Sequence, residues 1–172
     1  LLITHWGFSG PAVLKLSSIA ARELFDQKYK FNLIIRWSDL EYQELKLKID
    51  DLKLNNGKSN LINLRPLPLL TKRLWEFLLN KMEINKDKKW SDLLASEREK
   101  MINSLLKDRY MISSKGPFGE EFVTSGGVSI EEVDFKSMES LICPGLFFSG
   151  EVLDVDGITG GFNFQHCWTS GW

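Results

Sequence analysis

The segment 145–165 constrains the fold of this 172-residue chain more than any other part of it. Its residues predict an apolar strand at 146–148, then a loop rich in aspartate and glycine, then a helix that begins near Asn163. A strand that leads through glycines into a helix is typical of α/β sheets that bind ligands at the carboxyl ends of their strands. We therefore predict that the strand is buried and that Glu151, which follows it, faces a binding crevice.

The glycines and the acidic residue of this segment have properties that a large cofactor requires. Glu151 can accept hydrogen bonds from hydroxyl groups, and Gly150 permits a close approach of the backbone. Gly160 and Gly161 precede a helix whose first N–H groups carry partial positive charge, which suits an electron-rich carbonyl edge. A glycine-rich turn that binds no ligand fits the same residues, so both interpretations stay open at this point.

Composition and charge argue against several classes of protein. Lysine and arginine total 22 and aspartate and glutamate 23, so the net charge of −1 gives no overall case for nucleic acid or an anionic membrane. No apolar run approaches the ~20 residues of a membrane helix, and no secretory signal is visible, so the cytoplasm is the expected compartment. Cys143 and Cys167 form neither a disulfide framework nor a zinc pattern, and no metal is expected.

The predicted elements run as strands, then helices, then strands, which indicates an α+β fold with a helical insertion in a small β-rich body. The first section, 1–37, is predicted to hold strands at 1–6 and 31–37 around a helix at 12–25. The second section, 38–108, is predicted to be helical. The third, 109–142, is predicted to hold strands at 110–113, 121–124 and 128–130, and the fourth is the C-terminal segment 143–172. The last helix ends after about two and a half turns, so we expect a piece of a longer chain.

Capping signals and apolar periodicity predict three helices in the section 38–108. Ser38 and Glu41 form a capping box before the first helix, and Asn55, Asn56 and Gly57 are predicted to end it. The second is predicted at 69–82, and Ser96 with Glu99 forms the capping box of the third, at 97–107. The apolar stripe of the second helix, interpreted as core, consists of Leu70, Leu74, Phe77 and Leu78.

Three residues near the N-terminus are candidates for chemistry. His5 is a candidate for proton transfer because an unperturbed histidine pKa lies near 6.5, with a histidine hydrogen-bonded within a strand as the alternative. Trp6 is a candidate for lining a substrate pocket, with packing as its alternative. Ser9 stands in Gly-Phe-Ser-Gly-Pro, which departs from the Gly-x-Ser-x-Gly of hydrolases, so capping of the next helix by Ser9 or Gly10 is favoured.

The remaining polar residues of the C-terminal segment have structural interpretations beside functional ones. Asp154 and Asp156 are read as turn-forming, with a cofactor contact as the alternative, and their loop lacks the spacing of an EF-hand. Asn163 is interpreted as the helix cap. His166 and Cys167 are adjacent on the helix and are interpreted as packing residues.

Three blocks in fixed order carry a resemblance to a known family. The first block, residues 4–14, is Thr-His-Trp-Gly-Phe-Ser-Gly-Pro-Ala-Val-Leu. The second block is Val-Thr-Ser-Gly-Gly-Val at residues 123–128, together with Met138-Glu139-Ser140 further along the chain. The third block is 150–165, Gly-Glu-Val-Leu-Asp onward, with Phe162 where tyrosine is usual. Together they resemble bacterial flavoproteins described as NAD(FAD)-utilising dehydrogenase-like proteins, which include an aminoacetone oxidase and a bile-acid reductase. The likeness spans nearly the whole chain, although the helical middle is only loosely similar.

The resemblance implies a Rossmann-type FAD domain that is interrupted by an insert. The insert is β-barrel-like and carries a small helical subdomain, so 1–37 and 109–142 are expected to belong to the barrel-like part, and 143–172 to the last FAD-binding segment. The family also uses a Gly-x-Gly-x-x-Gly loop for the FAD pyrophosphate, and none of the 13 glycines here forms that pattern. We therefore expect this piece to be inactive alone, and to self-associate or pair with the Rossmann segment that it lacks.

The resemblance also implies an activity, cofactors and contact residues. It implies an FAD-dependent oxidoreductase that acts on a small organic substrate, with NAD(P)H as electron donor or acceptor. His5 and Ser9 are then candidates for the chemistry and Trp6 for the substrate side. The implied cofactor contacts are Gly150, Glu151, Asp154, Gly160, Gly161, Phe162 and Asn163. The alternatives are a truncated, non-catalytic binding module of the same family and, more remotely, a serine hydrolase that uses Ser9.

Overall fold

The computed structural model describes residues 1–116, 123–158 and 160–172 of the chain. The chain forms two compact units, each described by itself below. The helical unit is Asn32–Ile112. The glycine-rich unit comprises Leu1–Phe31 and Ser113–Trp172, and its sequence contains twelve of the thirteen glycines. No helix in the described part of the chain combines the length and the apolar character needed to cross a membrane.

The helical unit is built from three long helices and a pair of strands. Helices α3, α4 and α5 span Tyr42–Asn55, Lys72–Lys81 and Ala95–Lys107. Strand β3, Phe31–Ile35, pairs with β4, Asp108–Ile112, where the chain enters and leaves the helices. Between α3 and α5, an extended stretch around Asn60 bridges an antiparallel stretch around Lys89.

The core of the helical unit is dense and aromatic. Trp75 and Trp90 are fully buried, and their indole N–H groups donate to the carbonyl oxygens of Leu61 (2.8 Å) and Leu64 (3.2 Å). A buried indole is stabilised when its N–H group has a partner, so these bonds fix the helices against the extended stretch. Other fully buried members of this core are Leu45, Ile49, Leu61, Leu78, Leu79, Met101, Ile102 and Leu105.

The glycine-rich unit contains short elements that pair two at a time. Strands β1 and β2 form a hairpin, and β5 and β6 form another, both antiparallel. Helices α1 and α2 follow β2, and α6 ends the chain. The bounds are β1 Leu2–Ile3, β2 Phe8–Ser9, α1 Pro11–Ile19, α2 Ala21–Asp26, β5 Val133–Asp134, β6 Glu139–Ser140 and α6 Phe162–Gly171.

The described residues thus form a mixed α and β structure in which strands pair only two at a time, and they form no closed barrel. The prediction of a β-barrel-like insert therefore stays an inference from the resemblance. The assignment of four sections to insert, helical subdomain and cofactor segment likewise stays a prediction. The predicted strand at 121–124 lies partly outside the described residues.

Several predicted element boundaries are wrong, each for a local reason. The first helix of the central section begins at Tyr42, because Glu44 accepts the backbone N–H of Glu41 (2.8 Å), while the Ser38 hydroxyl accepts that of Leu40. The third begins at Ala95, because Glu97, and not Glu99, accepts the backbone N–H of Leu94.

Two further predictions about secondary structure need correction. The helix predicted at 12–25 is divided at Ala20 into α1 and α2. The strand predicted at 128–130 is a single parallel bridge from Val128 to Leu153, followed by a 3₁₀ helix at Ile130–Glu132. In α4, Phe77 is 48% exposed and is no core residue, whereas Trp75, absent from the predicted stripe, is fully buried.

Candidate cofactor-binding site

Two of the sequence blocks lie side by side in the glycine-rich unit. The backbone N–H of Val128 donates to the carbonyl oxygen of Val152 (2.8 Å), and that of Asp154 donates to the carbonyl oxygen of Val128 (2.9 Å). These bonds make the parallel bridge between Val128 and Leu153, whose side chain is buried. The Val-Thr-Ser-Gly-Gly-Val block is therefore fixed to the Gly-Glu-Val-Leu-Asp block by backbone pairing.

Gly127 permits this pairing. A Cβ atom at this position would lie 2.4 Å from the carbonyl oxygen of Val152 and 2.8 Å from the carbonyl carbon of Leu153. Its φ angle of +151° is also disfavoured for residues with side chains. Gly126 has open space at the corresponding point. The close approach of the two chains thus explains the second glycine of this pair, and not the first.

Side chains add two more links between the same blocks. One carboxylate oxygen of Glu151, Oε1, accepts the backbone N–H of Thr124 (3.3 Å). The hydroxyl of Ser125 donates to Asp156 (2.7 Å). Glu151 is exposed in the 3₁₀ helix Gly150–Val152, so its carboxylate remains accessible to a bound molecule.

The loop from Gly150 to Gly157 lies along α6 and is held at both ends. The N–H of Gly150 donates to the hydroxyl of Ser170 (2.8 Å). At the other end, the side-chain amide of Asn163 accepts the N–H of Gly157 (2.8 Å) and donates to its carbonyl oxygen (3.1 Å). Asn163 and Ser170 are seven residues apart, which is about 10 Å of helix. The loop therefore runs antiparallel to α6.

The N-terminus of α6 differs from the prediction in one respect. Gly161 is the cap residue, in the left-handed conformation with φ of +92°, and Asn163 lies within the first turn with its side chain committed to Gly157. Asn163 as helix cap was thus wrong. Gly160, Gly161 and Phe162 are exposed, Phe162 by 58% of its surface. The first N–H groups of such a helix can bind a carbonyl oxygen or an anion.

Asp154 is engaged within the protein. Its two carboxylate oxygens accept from one guanidinium nitrogen of Arg22, Nη2, at 2.6 and 2.9 Å. The hydrogen bond from Arg22 and the negative charge of Asp154 raise the pKa of the Arg22 guanidinium above its ordinary value. The pair joins α2 to the loop, so Asp154 shapes the loop rather than pointing freely toward a ligand.

The predicted buried strand at 146–148 is not present. Phe147 makes a single antiparallel bridge to Glu139, and both Leu146 and Phe147 are exposed. Glu139 accepts the N–H of Gly145 (2.7 Å), which turns the chain at the start of this stretch. Glu151 therefore lies in a 3₁₀ helix that follows an exposed bridge, and not a buried strand.

The N-terminal candidates lie in the hairpin of β1 and β2. His5 and Trp6 occupy its turn, which Thr4 and Gly7 close through the backbone and the Thr4 hydroxyl. Both are exposed, and the Trp6 ring would lie within 2.8 Å of a Cβ atom at Gly116. Ser9 lies in β2 opposite Leu2, and Gly10 is the cap of α1, so capping by Ser9 was wrong and capping by Gly10 is confirmed.

Sequence reasoning missed the residues that fasten the loop, which are Arg22, Thr124, Ser125 and Ser170. One signal was available for the last of these. Asn163, His166, Cys167 and Ser170 follow helical spacing, so α6 has a polar face that the loop covers. The Nε2 atom of His166 is buried on this face and has no hydrogen-bond partner among the described residues. No three potential metal ligands among His, Cys, Asp and Glu group together in the described ranges.

Comparison with known proteins identifies the family of this chain. Residues 12–172 match the family described as HI0933-like protein Rossmann domain. The chain is 33% identical over its full length to a ribosomal RNA dihydrouridine synthase of Escherichia coli (strain K12). A ribosomal RNA dihydrouridine synthase of Haemophilus influenzae is 30% identical over 99% of the chain.

A third relative carries a different name. It is the 3-dehydro-bile acid delta(4,6)-reductase of Clostridium scindens, 27% identical over 99% of the chain. The chain spans about two fifths of the length of each of these three relatives, from 40 to 41%. Since the family match covers the chain from residue 12 to its last residue, this protein belongs to the HI0933-like protein Rossmann domain family.

Proposed function

We propose that this chain supplies part of the FAD-binding site of a flavin-dependent oxidoreductase. The observation that carries the proposal is the fastening of the loop 150–157 between the Val128 backbone and α6, which leaves a carboxylate and a helix N-terminus exposed. Gly127 belongs to a close-approach site that a Cβ atom would fill. Membership of the family and the names of the relatives support the same kind of protein.

The seven predicted cofactor contacts divide into two groups on this proposal. Glu151 keeps an accessible carboxylate oxygen that can accept from the hydroxyls of the ribityl chain. The N–H groups at the start of α6, after Gly160 and Gly161, suit the carbonyl edge of the flavin ring, and Phe162 offers an apolar surface beside them. Gly150, Asp154 and Asn163 act by holding the loop. When bound, the flavin supplies hydride chemistry that side chains lack.

We further propose that the reaction is the reduction of a ring carbon–carbon double bond conjugated with a carbonyl group, with NAD(P)H as the donor of two electrons and one hydrogen, and with a proton from solvent as the second hydrogen. Dihydrouridine differs from uridine by two hydrogens at such a bond, and a 3-dehydro-bile acid with delta(4,6) unsaturation carries such bonds beside its 3-keto group. Both names describe the same bond change in different molecules. Two relatives at 33 and 30% identity favour a uridine of ribosomal RNA as the substrate.

A non-catalytic binding module remains the second candidate. It is favoured by the absence of a Gly-x-Gly-x-x-Gly pattern from this sequence, which leaves no pyrophosphate loop within these 172 residues. The two candidates differ in catalytic activity, since only the oxidoreductase reduces and reoxidises a bound flavin as it converts substrate.

The test is complementation with the protein that contains this chain, in an Escherichia coli strain without its own ribosomal RNA dihydrouridine synthase. We expect flavin absorbance in the purified protein and dihydrouridine in the ribosomal RNA, measured by mass spectrometry of nucleosides. Bound flavin without dihydrouridine would reject the RNA substrate. A protein that neither retains flavin nor binds it in a fluorescence titration would overturn the flavin proposal itself.

Glu151→Gln tests the role given to the carboxylate. The glutamine oxygen can still accept the Thr124 N–H, whereas the charged hydrogen bond to the cofactor is lost, so we expect FAD affinity to fall about tenfold or more. Glu131→Gln is the matched control, because Glu131 is also exposed in a 3₁₀ helix of the same unit. Equal affinities in the two variants would contradict the role of Glu151.

A further inference from the structure

Positive charge is concentrated in the helical unit. The helical unit carries sixteen lysine and arginine residues against twelve aspartate and glutamate residues, whereas the rest of the chain carries six against eleven. The overall net charge of −1 therefore conceals two units of opposite sign. An anionic polymer would be attracted to the helical unit and repelled by the other.

Three of these cations lie close together in the chain and form no salt bridge among the described residues, although the pKa of Glu76 is lowered by the hydrogen bond from Lys86 and, to a smaller degree, by the charge of Lys72. Arg65, Lys72 and Arg73 are exposed, and the stretch 63–75 that contains them has no aspartate or glutamate. We call these three side chains the basic surface. Five of the other thirteen cations of the helical unit form ion pairs: Arg36 with Glu41, Lys81 with Asp108, Lys86 with Glu76, Lys88 with Glu97, and Arg98 with Asp50.

The basic surface has no evident role in stability. Lys72 and Arg73 occupy the first turn of α4, where the helix dipole disfavours positive charge, and that turn has no acidic residue. Glu76 lies one turn from Lys72, but its carboxylate accepts from Lys86 instead. No ion pair joins the three cations to a carboxylate in the helical unit, which the structure describes throughout.

Apolar side chains are exposed beside the cations. Leu69 is 90% exposed in the loop that precedes α4, and Phe77 is 48% exposed one turn after Arg73 on the same face of the helix. Cations next to an exposed aromatic ring are the combination that binds single-stranded or looped RNA, since phosphates contact the cations and a base stacks on the ring.

We infer that the basic surface, with Phe77, is a docking site for the RNA substrate. The inference rests on the proposed function and adds the region of the protein that holds the RNA. It assigns phosphate contacts to Arg65, Lys72 and Arg73, and stacking of an unpaired base to Phe77. The glycine-rich unit then binds flavin, and the helical unit binds the polymer that carries the uridine.

The experiment measures binding of a fluorescein-labelled RNA hairpin with a uridine-rich loop to the full protein, by anisotropy at several salt concentrations. In the triple variant Arg65→Ala, Lys72→Glu and Arg73→Glu, we expect affinity to fall at least tenfold. The slope of log affinity against log salt should decrease by about two, since each phosphate contact of single-stranded nucleic acid contributes ~0.7. Phe77→Ala should weaken binding with an unchanged salt slope.

The variants are chosen so that misfolding cannot imitate the result. Acidic residues in the first turn of α4 suit the helix dipole, which offsets the like-charge repulsion that Lys72→Glu creates with Glu76, so the midpoint of thermal unfolding should stay close to that of the wild type. Lys48→Glu is the control, because Lys48 is exposed on α3 among Glu44, Asp51 and other charges. The RNA affinity of this variant should equal that of the wild-type protein. Equal losses in control and triple variant, or none in either, would overturn the docking site.

Flavin content separates this inference from the proposed function. If the triple variant loses affinity for RNA but retains flavin and still reduces a small unsaturated ketone with NAD(P)H, the docking site and the proposed function both stand. If the wild-type protein holds flavin yet binds the hairpin no better than double-stranded DNA of equal length, the docking site is overturned and the flavin proposal is not. If RNA binds at the basic surface but flavin is absent, only the proposed function fails.

Discussion

Of the buried apolar side chains among the described residues, seventeen lie in the helical unit and two, Val133 and Leu153, lie in the glycine-rich unit. The helical unit is held by side-chain packing around Trp75 and Trp90. The glycine-rich unit is held by backbone pairing at Val128 and by polar contacts to α6. Packing tolerates changes on its surface, whereas a loop held by backbone contacts depends on single atoms, so the two units should respond differently to mutation.

Helix α6 shows the difference most clearly. Its covered face is polar, with Asn163 and Ser170 bound to the loop, and its exposed face is aromatic. Phe164, Trp168 and Trp172 follow one another at intervals of four residues, and the first two are 70 and 72% exposed. Exposed apolar surface is a common feature of association sites, so this face is where we would test the prediction that the chain self-associates or pairs with another segment.

The largest expected effect is in the core of the helical unit. Trp75→Ala removes a fully buried ring and its bond to Leu61, so we expect the free energy of unfolding to fall by about 3–5 kcal/mol, measured by denaturant titration. Trp168→Ala is the matched control, since this ring is 72% exposed, and its effect should stay within about 0.5 kcal/mol. Comparable losses would show that α6 is packed and that the contrast between the units is wrong.

The next effect tests a single atom in the glycine-rich unit. Gly127→Ala places a Cβ atom against Val152, so we expect a loss of about 3 kcal/mol, with faster hydrogen exchange at the N–H groups of Val128 and Asp154. Gly126→Ala strains only the backbone, at φ of +111°, and should lose about 1–2 kcal/mol. If hydrogen exchange at these two N–H groups is equally fast in the two variants, the close approach at Gly127 does not hold the blocks 123–128 and 150–165 together.

A third prediction concerns association. The double variant Phe164→Ser and Trp168→Ser removes the aromatic face of α6, and we expect self-association of the chain, followed by sedimentation velocity, to weaken at least tenfold, or about 1.4 kcal/mol. Leu54→Ser controls for the loss of one exposed apolar side chain elsewhere, because Leu54 is 82% exposed on α3. A chain that stays monomeric before mutation would refute the association.

The smallest effect is on pH dependence. Burial raises the pKa of Glu97, but hydrogen bonds from Lys88 and the Leu94 N–H outweigh it and hold that pKa below 4.5. A lowered pKa in the folded state contributes stability that is present above about pH 4.5 and lost as pH falls through the folded value. Stability of the helical unit should therefore fall less steeply with acid in Glu97→Gln than in the wild type. Ser96→Ala should leave the slope unchanged.

The sequence predicted the helices of the helical unit well, because apolar periodicity reports which side chains are buried. It misplaced their first residues, since several glutamates near a helix start are candidates for the capping box, and the N–H groups before the helices are accepted by Glu44 and Glu97 rather than by Glu41 and Glu99. Phe77 shows the limit of periodicity, because one apolar residue in a stripe can face solvent.

The site was harder to predict than the helices. The glycines and Glu151 were identified because their residue types are unusual in this order. The strand at 146–148 was not recoverable, because apolar residues predict burial and the stretch is exposed. Contacts such as Arg22 with Asp154 join residues 132 positions apart, and a single sequence gives no signal for such pairs.

The fastening of the loop at both ends of α6 limits how this protein can vary in length. Gly150 binds Ser170 and Gly157 binds Asn163, so two anchors seven positions apart in the loop meet two anchors seven positions apart in the helix. An insertion or deletion within the loop would shift one anchor by a residue and leave Asn163 or Ser170 opposite the wrong backbone group. The spacing between these pairs should therefore stay fixed in proteins that share the loop, while their surface helices lengthen and shorten freely.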